Sequence, residues 1–321
     1  MISNSIILLT GSSGFIGANL LRALLKKNPK KIHIILRKTS NKWRIQNLLT
    51  SSKIQIHYGD INNKKFIDNV FKQAKPEIIY HCATYGMFLN KQKNKEKILK
   101  TNILSLYYLI EQSAQHNVKR FINTGTTSEY GIKNVSMKEN MLLEPTNTYG
   151  ATKASATIIA SQLAKEYKLN LVTLRLFSPY GYYEEKNRLF PHVILNYLED
   201  KEFSLSSQTF VRDFTFIDDI INAYIKVSQS NKKIYGDIFN VGTGKQYRLI
   251  DVIQTLEKIE KRKAKITWGH IKAKQQEPKI WKSDNSKIKK VFNWTPKETL
   301  ESGLKKDLLW FKKNKKLYIR S

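Results

Sequence analysis

The chain of 321 residues is 41% apolar and 11% aromatic, enough to build one large α/β unit or two domains, and this excludes global disorder. Its 56 Lys and Arg against 26 Asp and Glu leave a net charge of +30, but the lysines are spread along the whole chain rather than gathered into one arm; that pattern makes nucleic acid an unexpected partner while still favouring an anionic substrate. The single cysteine, Cys82, excludes a disulfide framework, no apolar run approaches the roughly 18 residues that span a bilayer, and the expected compartment is a reducing cytoplasm.

Residues 6–9 read as a strand that breaks at Gly11, Ser12, Ser13 and Gly14, with a helical pattern over 19–27. Strands are expected at 31–36 and 53–58, a helix at 66–73 and a strand at 77–81. A long helix at 97–116, a strand at 119–123, a helix at 149–167 and a strand at 171–176 follow. Strands alternating with helices require crossover connections, so the expected fold class is α/β, a doubly wound parallel sheet covered on both faces. After Ser178 the regularity falls away.

The first strand runs into Thr10-Gly11-Ser12-Ser13-Gly14-Phe15-Ile16-Gly17. Glycines there let the backbone approach a ligand, and the free N–H groups of the next helix then face a pyrophosphate. Gly17 lets that helix pack closely on the sheet. A glycine turn between a strand and a helix at the start of such a unit points to a dinucleotide. After the second strand comes Leu36-Arg37-Lys38-Thr39-Ser40, with no acid for the ribose hydroxyls of NAD. Arg37 and Ser40 suit the extra phosphate of NADP, so NADP(H) is expected ahead of NAD(H), for which Arg37 would stack on adenine. Asp60, in Gly59-Asp60-Ile61, is placed to accept from the adenine amino group or to cap a helix.

Tyr149 and Lys153 stand four apart, on one face of the expected helix. A phenol near pKa 10 is a poor acid–base group, and a neighbouring ammonium favours its anion. Between them and the glycine turn lies the hydroxyl-rich strand end Asn123-Thr124-Gly125-Thr126-Thr127-Ser128-Glu129-Tyr130-Gly131, one of whose hydroxyls can steady a reacting carbonyl oxygen. Six histidines show no metal-ligand spacing, and Cys82 is expected in the core.

Together these motifs resemble the extended short-chain dehydrogenase/reductase family of nucleotide-sugar epimerases, dehydratases and reductases, over nearly the whole chain. Thr10–Gly17 matches TGxxGxxG, and His81-Cys82-Ala83-Thr84 is similar to the segment that lines the cofactor. Asn102 falls at a helix asparagine of the family, and Tyr149 and Lys153 match YxxxK. Counting back from Tyr130-Gly131 makes Thr126 the equivalent of the catalytic Ser/Thr, with Thr127 or Thr124 as alternatives. Arg175–Gly181, Arg188-Leu189-Phe190-Pro191 and Arg212-Asp213-Phe214 resemble further landmarks.

The resemblance implies a Rossmann-like domain over 1–177 and about 214–245, with a discontinuous substrate lobe over about 178–213 and 246–321. Catalysis falls to Thr126, Tyr149 and Lys153. Gly11, Gly14, Phe15, Ile16, Gly17, Arg37, Ser40, Asp60, Ile61, Ala83, Thr84, Asn102, Tyr149, Lys153 and Phe177 are expected at the cofactor. Thr127, Ser178, Arg188, Leu189 and Arg212 are expected at a nucleotide-diphosphate sugar. A homodimer through the helices at 97–116 and 149–167 is implied, as is a place in polysaccharide biosynthesis.

Where dehydratases of the family carry Thr-Asp-Glu, this chain has Thr126-Thr127-Ser128, with Glu129 one place off. Ser178 replaces an asparagine, and Lys274-Gln275-Gln276-Glu277 replaces a late Arg-x-Gly-Asp segment. The expected activity is reduction of an NDP-4-keto-6-deoxyhexose at C4. The alternatives are a 4-epimerase with tightly held NAD, a 4,6-dehydratase and, outside enzymes, a nucleic-acid-binding regulator using the basic surface.

Overall fold

The computed structural model describes residues 2–269 and 278–318, so His270 and the 274–277 segment lie outside the described residues. The strands are β1 (Ile6–Thr10), β2 (Lys31–Leu36), β3 (Ile54–Tyr58), β4 (Ile78–His81), β5 (Arg120–Thr126), β6 (Leu171–Leu176), β7 (Pro179–Tyr180), β8 (Phe203–Leu205), β9 (Val211–Arg212), β10 (Thr215–Phe216), β11 (Tyr235–Val241), β12 (Tyr247–Arg248) and β13 (Ile266–Trp268). The helices are α1 (Phe15–Leu25), α2 (Lys64–Ala74), α3 (Lys95–Leu99), α4 (Ser105–Gln115), α5 (Thr148–Glu166), α6 (Leu189–Leu198), α7 (Ile217–Gln229), α8 (Leu249–Glu260), α9 (Ser286–Phe292) and α10 (Leu300–Asn314).

Seven strands form one parallel sheet in the order β11-β6-β5-β4-β1-β2-β3. This is the doubly wound, Rossmann-like fold. Successive residues of β1 serve opposite faces. Ile7 and Leu9 join Leu20, Leu24, Ile220 and Tyr224 of α1 and α7, while Leu8 joins Phe71, Leu109 and Ala160 of α2, α4 and α5. Both faces are therefore dry, which is why the strands are almost continuously apolar. The chain order reverses between β1 and β4, so the carboxyl ends of these two strands flank a crevice.

Three elements differ most from expectation. Helix α1 begins at Phe15 rather than 19, because Gly14 is its N-cap and the helix starts within the glycine turn. Strand β5 continues to Thr126 rather than 123, carried by pairing with β6. The expected helix over 97–116 contains a π turn at Lys100–Leu104, which holds Asn102. Such turns cost hydrogen-bond geometry and are kept where they aim a side chain.

The two-stranded pair β7–β10 closes the 178–216 stretch on itself, and β9–β12 and β8–β13 link it to 247–268. Asp213 ties this region together. It is fully buried and accepts from Thr243 N at 2.8 Å, Gly244 N at 3.1 Å, Ser283 N at 2.9 Å and Ser283 Oγ at 2.7 Å. Asp219 near the start of α7 likewise accepts from Lys297 N and Glu298 N, while its carbonyl takes the Trp294 indole N–H. Among the described residues, no helix is long and apolar enough to cross a membrane.

Candidate active site

The glycine turn sits where the sequence motif demands. Gly11 has φ +69°, and a Cβ there would lie 2.5 Å from the Cys82 carbonyl carbon. A Cβ on Gly17 would lie 2.1 Å from the Gly11 carbonyl oxygen, so α1 rests directly on the turn. At Gly14 a Cβ would meet only the Gly11 oxygen, at 3.3 Å, and no side chain caps α1. The first turn of α1, with Phe15 and Ile16 half-buried, therefore presents free N–H groups to the crevice.

On the opposite wall, Ala83 N donates to Thr10 Oγ1 at 3.3 Å, and Thr10 Oγ1 meets His81 Nδ1 at 2.8 Å. Burial pushes the His81 imidazole down to about 3, so it is neutral and structural. Cys82 lies half-buried just past β4, not within the strand, and burial pushes its thiol up to about 11. Arg37 is exposed at the end of β2, and its backbone N–H donates to Ser40 Oγ at 3.0 Å. Asp60 accepts from Asn62 N at 2.9 Å. The α2 cap it could have supplied comes from Asn63, and Ile61 is half-buried beside it.

Two expected cofactor residues have their side chains committed elsewhere. Asn102 uses its whole amide inside the protein. Its oxygen accepts from Thr84 Oγ1 at 3.0 Å and Tyr85 N at 2.9 Å, and its nitrogen donates to Tyr85 O at 2.9 Å and Thr152 Oγ1 at 3.0 Å. It thereby ties the wall after β4 to α5. The Phe177 ring is fully buried with Tyr130 and Met137, and its backbone N–H donates to the Val241 carbonyl at 2.9 Å.

Tyr149 lies in the first turn of α5, whose N-cap Asn147 accepts from Gly150 N at 2.9 Å. A Cβ at Gly150 would sit 2.4 Å from the Ser128 carbonyl oxygen, so only glycine lets Tyr149 come down beside the end of β5. The Tyr149 phenol is pushed up to about 12, first by burial and then by the Glu129 carboxylate. The hydroxyls of Thr84 and Thr126 and the Arg188 guanidinium act the other way.

Lys153 is buried, its charge opposed by desolvation and supported by Glu129. The alternatives for the hydroxyl separate by their partners. Thr124 meets the Tyr224 hydroxyl at 2.7 Å beneath the site, Thr127 is buried, and Thr126 faces Tyr149.

Glu129 points into the protein. Its carboxylate accepts from Thr126 N at 2.9 Å and from Arg175 Nε at 2.7 Å, with both side chains of the pair almost free of solvent. Of the residues expected at the substrate, Arg188 and Leu189 open α6, and Arg188 Nε meets Glu184 at 3.3 Å. Ser178, at φ +27°, accepts Thr215 N through its carbonyl. Arg212 lies between the rings of Phe210 and Trp281, at 3.6 and 4.5 Å. Sequence reasoning missed the Glu129–Arg175 pair and the Asp213 clamp. Asn147, an Asx residue just ahead of a helical pattern, carried a readable capping signal.

The residues fit a dinucleotide. Among the described residues Ser12 Oγ in the glycine turn is buried without a hydrogen-bond partner and no side chain caps α1, while Lys153 is buried at the crevice. A diphosphate and ribose hydroxyls are the groups that such donors match.

Known proteins agree with this geometry. Over 315 residues the chain is 28% identical to a UDP-glucuronate 4-epimerase of Thermodesulfobacterium geofontis, covering 96% of each. It is 29% identical over 266 residues to a dTDP-D-glucose 4,6-dehydratase of Dictyostelium discoideum, covering 78% of this chain and 61% of that protein. The crystal structure of UDP-glucuronic acid 4-epimerase from Bacillus cereus with UDP-glucuronic acid and NAD superposes with a TM-score of 0.85 at 30% identity, over 96% of this chain and 99% of that one. Residues 7–242 match the model of one family, so this chain belongs to the NAD dependent epimerase/dehydratase family.

Proposed function

We propose that the protein is a UDP-sugar 4-epimerase that retains NAD and acts on a hexuronic acid, UDP-glucuronate or its C4 epimer. The carrying observation is the hydroxyl run Thr126-Thr127-Ser128 beside a Glu129 spent on Arg175. Removing water from a sugar needs a free acid near Tyr149, whereas epimerisation needs one proton taken from and returned to a single oxygen. The uronic acid is supported by Arg188, a cation close enough to act on Tyr149, and by the UDP-glucuronate 4-epimerases to which the chain is similar throughout. The expected reductase rests on Arg37, which serves an NAD adenine as well as an NADP phosphate.

When bound, NAD supplies a hydride acceptor and donor for C4 and, oxidised, a positive charge that favours a phenolate. Tyr149 takes the 4-hydroxyl proton and gives it back to the same oxygen. Thr126 steadies that oxygen by hydrogen bonding, and Lys153 holds ribose hydroxyls. Arg188 holds the sugar carboxylate, and Arg212 meets the nucleotide diphosphate. Leu99, Leu104 and Ile158, apolar yet exposed on the α3–α4 and α5 helices, support the homodimer through these helices.

The test is to denature the purified protein, identify the released dinucleotide, and incubate the native protein with UDP-glucuronate. Released NAD and formation of the C4 epimer without added cofactor are expected. An empty site with NADPH-dependent consumption of a 4-keto sugar would establish the reductase instead.

A further inference from the structure

We propose that Arg44 is a positioning residue that joins the dinucleotide end of the site to its sugar end, pinning the loop after β2 both to the glycine turn and to the segment that leads into Arg188. The proposal deepens the reading above and rests on the role given there to Arg188. Arg44 is 4% exposed. Its guanidinium spends each nitrogen on a different partner, and all three partners are distant in sequence. Nη1 donates to the Ser13 carbonyl at 3.3 Å, in the glycine turn just ahead of the α1 N-cap Gly14. Nε donates to the Tyr183 carbonyl at 2.6 Å, and Nη2 pairs with the Glu185 carboxylate at 2.9 Å. The loop that carries Arg44 starts at Arg37 and includes Ser40, the residues expected at the adenosine end of the dinucleotide.

The 183–185 segment runs directly into Arg188. The Arg188 backbone N–H donates to the Glu185 carbonyl at 2.9 Å, and its Nε meets the Glu184 carboxylate at 3.3 Å. Arg188 therefore stands on the turn that Arg44 holds. Tyr183 in that turn has φ +66°, a left-handed conformation that a bulky residue keeps only where its surroundings enforce it. The Arg44 bond to its carbonyl and the Arg22 guanidinium, 3.8 Å from the centre of its ring, are enforcing contacts. Arg22 also donates to the Arg44 carbonyl, and the Arg44 guanidinium lies 4.4 Å over the Trp43 ring, so the arginine is itself fixed. A planar fork of five N–H groups can hold three acceptors in three directions; the single ammonium of a lysine cannot. Asn19 of α1 donates to the Tyr182 carbonyl at 2.8 Å, an attachment of the same segment that does not pass through Arg44. Arg44 is not placed at the reacting atoms; it acts through the turn and through Arg188.

The test has two arms and three variants of the purified protein. Arg44→Met removes every tie, Arg44→Lys keeps the charge for Glu185 but not the fork, and Glu185→Gln removes only the ion pair, from a side chain 45% exposed. The first arm reads release of the bound dinucleotide on dialysis, or affinity for added dinucleotide where the wild type is isolated empty. Arg44→Met and Arg44→Lys should weaken retention about tenfold, the worth of a charge-assisted contact, while Glu185→Gln leaves it unchanged. The second arm reads the sugar end with NAD in excess. Arg44→Met should raise KM for UDP-glucuronate about tenfold, with kcat and the affinity for UDP nearly unchanged. Glu185→Gln should move KM in the same direction by a smaller factor, and Arg44→Lys should recover part of the loss. Retention and KM both as in the wild type for Arg44→Met overturn the proposal, as does equal weakening of UDP and UDP-glucuronate or a fall in kcat alone. Where Arg44→Met does not fold, Arg44→Lys and Glu185→Gln decide by their opposite effects on the two arms. Wild-type protein that does not turn over UDP-glucuronate removes the functional reading and the role of Arg188 with it, while the dinucleotide arm still decides whether Arg44 holds the glycine turn.

Discussion

Arg175 and Glu129 meet at 2.7 Å with side chains 1% and 0% exposed, directly under the strand end that carries Thr126. The pair is held further by Thr126 N on Glu129 and by the Tyr130 ring, 4.6 Å from the guanidinium. Taking both charges out of water is costly, and only this completeness of partners offsets it. The Arg175→Met variant leaves Glu129 charged and buried. It should lose roughly 3–5 kcal/mol of stability in urea unfolding. Glu129→Gln keeps the bond from Thr126 N and should lose less. An Arg175→Met protein as stable as the wild type would show that the pair does not hold the strand end.

Tyr149→Phe should retain the fold and its bound dinucleotide and lose turnover of UDP-glucuronate by about 10²–10⁴-fold, the usual worth of a positioned proton-transfer group. Thr126→Val should cost less, and mainly in kcat. Measured rates within threefold of wild type for Tyr149→Phe would place the proton transfer elsewhere.

The hydrogen-bonded pair of His33 Nδ1 and His57 Nε2, 2.8 Å apart on adjacent strands, couples stability to acid. Burial, with His57 and Lys31 nearby, brings His33 down to about 4, against about 6.5 when unfolded. The unfolded chain therefore binds the proton first. Stability is complete above about pH 6.5 and declines as pH falls toward 4, by about 1–3 kcal/mol. Chemical unfolding at a series of pH values should show this decline, and His33→Gln should flatten it.

The dimer expectation is tested at Ile158, 58% exposed on α5, and Leu104, 42% exposed at the end of the π turn. An Ile158→Arg, Leu104→Lys double variant should sediment as a monomer while the wild type sediments as a dimer. Unaltered sedimentation of the pair would move the interface to another face.

The proposed retention of NAD is tested at the wall that Asn102 holds. Its four hydrogen bonds join the 84–85 segment to Thr152, one turn from Tyr149. Asn102→Leu breaks all four and should release the dinucleotide on dialysis, read as loss of nucleotide absorbance, together with a stability loss of about 2–4 kcal/mol.

The glycine turn, the Tyr149–Lys153 spacing and the alternation of strands with helices are local signals, each written within a few residues. They were enough for the parallel sheet, the dinucleotide and the family, because close approach, helical period and crossover topology are properties of short segments. The same kind of signal pointed Asn102 and Phe177 to the cofactor without showing that the Asn102 amide is spent inside the protein or that the Phe177 ring is fully buried. A position in a motif says that a side chain is near the cofactor, not whether its bonding capacity is already spent. Asp213 stood in a recognised segment, yet its function depends on Thr243, Gly244 and Ser283, 30 to 70 residues away.

The amino-acid sequence by itself determined the fold, the family and the class of cofactor. Tertiary structure alone decided that Glu129 is locked on Arg175, that Thr126 rather than Thr124 faces Tyr149, and that Asn102 spends its whole amide inside the protein. The physical reason is that charge state and hydrogen-bond capacity are set by burial and by partners distant in sequence, which no local pattern encodes.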